Sequence, residues 1–194
     1  MAIELTETAR RAIAAEQDRL QHALAGAGPS SIKWTAFTHL HLTLVFLGRV
    51  ENDRVDVVVE TIRRPIEAEP FSIVFGGLGV FPPRGEPRVL WLGLMSGADR
   101  VKAVQSHVVH RVTALGLALE ERAFTPHLTI ARWREGRPSD RRRVLERERA
   151  DDIVRVDVSS VTLFESRLSP TGSTYTALCH SPLAEPAAPP LQSS

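Results

Sequence analysis

His41-Leu42-Thr43-Leu44 and His127-Leu128-Thr129-Ile130 repeat one four-residue pattern, His-Leu-Thr-apolar, at two distant places in a chain of 194 residues. Residues 40–47 and 125–131 are rich in branched and apolar types and read as strands, the first ended by Gly48. Side chains of a strand alternate between its faces. His and Thr of each motif therefore project together, while the intervening Leu and the last apolar residue enter the core. Each motif becomes a rigid floor bearing an imidazole beside a hydroxyl. A duplicated lobe with a pseudo-twofold axis brings the two floors together across one cleft.

Outward from the motifs, the chain mixes helices and strands. A strand stub at 2–5 precedes a helix capped by Thr6 and running to about Leu24, with Ile13, Leu20 and Leu24 on one stripe and Gly26 and Gly28 closing it. An extended piece covers 32–35. Val55, Val58, Val59 and Ile62 fall at helical spacing within 52–64, and Pro65 stops that helix. Strands are expected at 71–75 and 89–94 around a Gly/Pro loop at 76–87. A third helix spans 99–115, with Val101, Val104, Val108, Val112 and Leu115 inward and Gly116 as its stop. Residues 132–149 hold eight arginines against four acids, and a last strand pair is expected at 153–164 and 173–180. Short turns between several of these strands argue for α+β with antiparallel sheet, not a doubly wound parallel sheet. Residues 1–181 are assigned to one domain. The Pro/Ala/Ser-rich stretch 182–194 is assigned to a disordered tail.

Composition narrows the function classes. A net charge of +1 supplies no global field towards nucleic acid or membrane, so an anion-binding surface must be local. Cys179 is the single cysteine, which excludes an internal disulfide and a thiolate metal cluster. No apolar run suits a membrane span or a leader peptide, and a cytoplasmic protein with no membrane attachment and no obligate protein partner is expected. Gly76-Gly77-Leu78-Gly79 follows a strand but leads into Pro82-Pro83 and not into a helix, so it is no phosphate loop.

Two imidazoles facing each other suit proton transfer in both directions near neutral pH: one takes a proton from water while the other gives one to a departing oxygen. The Thr43 and Thr129 hydroxyls can hold the non-bridging oxygens of a phosphate between them. No cofactor and no metal is called for. His39 and His41 form an HxH pair, but no acidic cluster completes a metal site. Arg132, at the end of the second motif strand, reaches either a phosphate or a surface carboxylate. Phe81 and Tyr175 either stack on a terminal base or anchor their loop and core. Arg141, Arg142 and Arg143 read as a solvated helix face, Trp91 as core, and His22, His107 and His110 as helical surface or packing residues.

The chain resembles the 2H phosphoesterase superfamily, and within it the RNA 2′,3′-cyclic 3′-phosphodiesterases, the 2′-5′ RNA ligase or LigT-like family. The resemblance extends through His39–Gly48, Gly77–Pro82, Pro87–Gly93, Phe124–Arg132 and Leu163–Pro170 with Tyr175. It implies a bilobal fold, two pseudo-symmetric lobes whose antiparallel sheets line a central cleft with helices outside. It implies hydrolysis of RNA 2′,3′-cyclic phosphate ends to 2′-phosphate, with His41 as proton donor and His127 as acceptor, and weak 2′-5′ joining by reversal. Two departures stand out: the first strand is short, and Val45 occupies a place where relatives often carry a basic residue. The alternatives are a cyclic phosphodiesterase acting on a small nucleotide (a cyclic phosphate of ADP-ribose or a 2′-5′ oligonucleotide) and a non-catalytic module that binds RNA ends.

Overall fold

The computed structural model describes residues 1–24, 32–119, 123–149, 151–169 and 172–185. β1 (Ala2–Glu4) leads into α1 (Glu7–Leu24), β2 (Ile32–Trp34) and β3 (His41–Thr43). Then follow α2 (Val55–Arg63), β4 (Ile66–Glu67), β5 (Phe71–Phe81), β6 (Val89–Ser96) and α3 (Ala98–Ala114). The chain ends with β7 (Leu128–Trp133), α4 (Pro138–Leu145), β8 (Asp152–Val158), β9 (Ser160–Ser169) and β10 (Gly172–Ala184). The strands form two five-stranded sheets, ordered β3-β1-β9-β10-β4 and β2-β7-β6-β5-β8. Every pairing is antiparallel except that of β10 with β4. The architecture is α+β and bilobal, as expected. The lobes are not successive halves of the chain, because β2 crosses into the second sheet and β9 and β10 return to the first.

Local chemistry explains the helices. The Thr6 hydroxyl accepts the Ala9 N–H at 3.2 Å, filling one of the vacant donors of the first turn of α1. Ala9, Ile13, Gln17 and Leu20 then form its buried stripe, with Leu24 packed partly against it. Gly26 and Gly28 lie outside the described residues. Val101, Val104, Val108 and Val112, the expected stripe of α3, are all buried, whereas α2 buries only Val58 and Ile62 fully.

The strands depart from expectation in four places. β3 is three residues long and not eight, because its ladder partner β1 is itself three residues long; Leu44 and Val45 donate beyond it to the Met1 carbonyl. β7 begins only at Leu128, after Pro126, which has no N–H to give a ladder. The glycines expected in a loop continue β5 to Phe81. They make room for the neighbouring strand: a Cβ on Gly79 would run into the Trp91 indole. The expected strand at 153–164 is two strands in different sheets, parted at Ser159, whose carbonyl receives the Leu183 N–H. The last strand continues past His180 to Ala184, with Leu183 buried and in register with Ile66. Residues 182–184, assigned to the tail, thus belong to the sheet, and 186–194 lie outside the described residues.

One polar side chain joins α1 to the second sheet. Gln17 is buried and donates to the Thr35 carbonyl at 3.0 Å and to the Ile130 carbonyl at 2.8 Å, next to Thr129. Gln17→Leu keeps the volume but strands the Thr35 carbonyl. The expected result is a loss of about 1–3 kcal/mol in chemical denaturation, with an unchanged m-value.

Candidate active site

Register sets the orientation of both motifs. Glu4 pairs with His41 and Ala2 with Thr43, so His41 and Thr43 share a face. Leu42 and Leu44 are buried while His41 and Thr43 are half-buried; Leu128, Ile130, His127 and Thr129 repeat this division. β3 of the first sheet packs against β7 of the second. The two floors therefore meet where the sheets meet.

The imidazoles are oriented in the same manner. Nδ1 of His127 lies 2.7 Å from the Thr125 carbonyl oxygen. A carbonyl only accepts, so Nδ1 carries the proton and Nε2 is left as the free nitrogen. His41 likewise bonds the backbone of His39, again two residues upstream. Each ring also sits in an aromatic bracket. His41 stacks on Phe164 at 5.9 Å and meets the edge of Tyr175 at 5.2 Å. His127 meets Phe81 at 5.0 Å and Trp91 at 5.9 Å.

These surroundings hold both imidazoles below the ordinary histidine range. For His41 the chief cause is burial, helped by positive charge at the amino group, His39 and Arg10, and opposed by its backbone bond. For His127 burial again leads, opposed by the bond to Thr125 and helped by Arg132. Glu4, opposite His41 in register, is turned elsewhere: the Thr162 hydroxyl donates to its carboxylate at 2.7 Å and lies 2.9 Å from Nδ1 of His180.

A cleft of about 1320 Å³ brings together Thr43, Thr129, His127, Arg132 and Phe81. His41 and Tyr175 are not part of its lining. They pack on each other beside it, His41 lying two residues before Thr43. Tyr175 also meets the edge of His39 at 5.1 Å. Among the described residues no group of three or more His, Cys, Asp or Glu side chains is placed to hold a metal ion.

Three participants escaped the sequence reading. Trp91, read as core, is half-buried beside His127, and Phe164 carried no distinguishing pattern of its own. Arg141 is not on a solvated face. Its guanidinium reaches back from α4 to the carbonyls of Pro83, Pro82 (2.7 Å) and Gly85 (2.9 Å), clasping the loop that follows Phe81. Arg142 and Arg143 do pair within the helix, with Glu146 and Asp140.

Two sheets meeting at paired His–Thr floors define a phosphoesterase scaffold of the two-histidine class. Residues 9–169 match the model of the 2′-5′ RNA ligase superfamily, and the chain belongs to that family. It is 33% identical to an RNA 2′,3′-cyclic phosphodiesterase of Aeropyrum pernix, covering 82% of this chain and 90% of the relative. A Methanothermobacter thermautotrophicus protein of the same name is 31% identical, over 91% and 93% of the two chains. Among solved structures, a Thermus thermophilus protein superposes with a TM-score of 0.74 at 25% identity, over 95% and 96% of the chains. E. coli LigT in complex with 3′-AMP gives 0.73 at 23% identity over the same shares, a likeness of fold.

Two outcomes are expected. In a pH titration followed by NMR, the His41 and His127 ring resonances move with midpoints below 6.5, because burial disfavours the imidazolium. Arg141→Ala frees the loop, and hydrogen exchange at the Arg88 amide, bonded to the Phe81 carbonyl at 2.8 Å, speeds up about tenfold.

Proposed function

We propose that this chain is an enzyme that hydrolyses the 2′,3′-cyclic phosphate ends of RNA to 2′-phosphates by metal-independent acid–base catalysis. The observation that carries the proposal is the matched pair of imidazoles, each bonded to the backbone two residues upstream, one on β3 and one just before β7, strands that pack against each other. The names of the relatives from Aeropyrum pernix and Methanothermobacter thermautotrophicus support the substrate.

In the proposed step, neutral His127 takes a proton through Nε2 from the water that attacks phosphorus. His41, as imidazolium, gives a proton to the departing 3′-oxygen. The P–O3′ bond breaks, the P–O2′ bond is kept, and the product is a 3′-alcohol beside a 2′-phosphate. Thr43, Thr129 and Arg132 bind the non-bridging oxygens as charge grows on them. Phe81 and Tyr175 hold the rings of the two histidines and flank the bound nucleotide. A 5′-hydroxyl in place of water would yield a 2′-5′ linkage, which is the weak ligation reading. No helix among the described residues is long and apolar enough to cross a membrane. The proposed setting is the cytoplasm, with both sheets working as one catalytic domain.

An oligoribonucleotide ending in a 2′,3′-cyclic phosphate, assayed with EDTA present, tests the proposal. Hydrolysis to 2′-phosphate is expected at full rate, falling at least ~100-fold in His41→Ala and in His127→Ala. Full activity in either variant, or dependence on added metal, contradicts it. The profile of kcat/KM against pH is expected to be a bell. Its acid limb reports the protonation of His127 and its alkaline limb the deprotonation of His41. With both groups held low, its maximum lies on the acid side of 6.5. Small-nucleotide specificity, the other reading, predicts that long RNA fails to compete.

A further inference from the structure

The cleft that holds Thr43, His127 and Thr129 is larger than their chemistry needs. A site for one drug-sized molecule encloses about 300–1,000 Å³; this cleft measures about 1320 Å³. The excess is lined by residues with no part in the proton transfers: Phe46 and Phe124 on the motif side, and Gln105, Val109 and His110 on α3.

The two phenylalanines sit close to the motifs along the chain. Phe46 lies three residues after Thr43 and Phe124 three residues before His127, at most about 10 Å along an extended chain. Phe46 is 71% exposed, a large apolar ring held open to solvent at the mouth of a cleft. An exposed ring of this kind offers a face on which a base stacks. From α3, the Gln105 amide presents both a donor and an acceptor to a base edge or a sugar hydroxyl. Arg88 and Arg132 line the same cleft, and among the described residues neither is paired with a carboxylate. Two cations beside aromatic faces match the alternation of phosphate and base in a single strand.

We infer that this part of the cleft is a subsite for a second nucleoside, the one on the 5′ side of the nucleotide that carries the cyclic phosphate. Phe46 stacks on its base, α3 reads its edge through Gln105 and His110, and Arg88 holds the phosphate that links the two nucleosides, while Arg132 stays with the cyclic phosphate. The inference rests on the proposed function for the polarity of the strand. It makes a dinucleotide, and not a mononucleotide, the smallest ligand that fills the site.

Binding tests it independently of turnover. The dissociation constants of three product-like ligands are measured by calorimetry at fixed salt: adenosine 2′-phosphate, the dinucleotide ApA 2′-phosphate, and the same dinucleotide with its 5′-side base removed. The dinucleotide is expected to bind at least about tenfold tighter than the mononucleotide, and the abasic ligand is expected to lose most of that gain. Phe46→Ala and His110→Ala, two replacements at exposed positions, are each expected to shrink the gain. Equal affinity for mononucleotide and dinucleotide overturns the inference. An abasic ligand as tight as the full dinucleotide also overturns it, since the gain then belongs to the phosphate alone. Failure of the hydrolysis assay with these binding results intact would count against the proposed function and not against the subsite.

Discussion

The packing of β3 against β7, one strand from each sheet, is the contact on which the rest of the molecule depends. Each sheet buries the Leu and the last apolar residue of its motif on one side. Period-two alternation then forces His and Thr to the other. Neither sheet alone has a site. Anything that shifts either strand by one residue would exchange hydroxyl and imidazole for leucine. The structure accordingly holds both strands from behind. Gln17 bonds the Ile130 carbonyl beside Thr129, and the Met1 carbonyl receives the N–H groups of Leu44 and Val45 just beyond Thr43.

Burial at this seam also sets the chemistry. A histidine that is always charged cannot accept a proton, and one in water has no fixed direction. Here both rings are half-buried, and burial disfavours the cation. Each is steered by a backbone carbonyl that partly restores it. The bond to the carbonyl thus opposes part of the downward shift that burial imposes on each ring. Asymmetry between them then comes from neighbours: Arg132 acts on His127, while the amino terminus, His39 and Arg10 act on His41.

The motifs, the helices and the α+β class were legible because each depends on local periodicity. His41, Thr43, His127 and Thr129 took up the predicted faces, and Phe81, Tyr175 and Arg132 lie at or beside the site. What was not legible depends on strand register. Gly76 to Gly79 looks like a loop until Trp91 is known to lie across Gly79. Residues 153–164 look like one strand until β8 is seen to pair with β5 and β9 with β1. Arg141 resembles its neighbours Arg142 and Arg143 in every local respect. Only the return of the loop after Phe81 to α4 gives it three carbonyls to bind. Trp91 and Phe164 reach the histidines by the same long-range pairing.

The division of labour between the two histidines can be tested by changing the leaving atom. A 2′,3′-cyclic substrate with sulfur in place of the bridging 3′-oxygen has a leaving group that departs without protonation. On that substrate His41→Ala should recover to near the wild-type rate, while His127→Ala, lacking the group that activates water, should stay as slow as on the natural bond. Recovery of His127→Ala alone, or no recovery in either variant, would contradict the assignment of donor and acceptor across the seam.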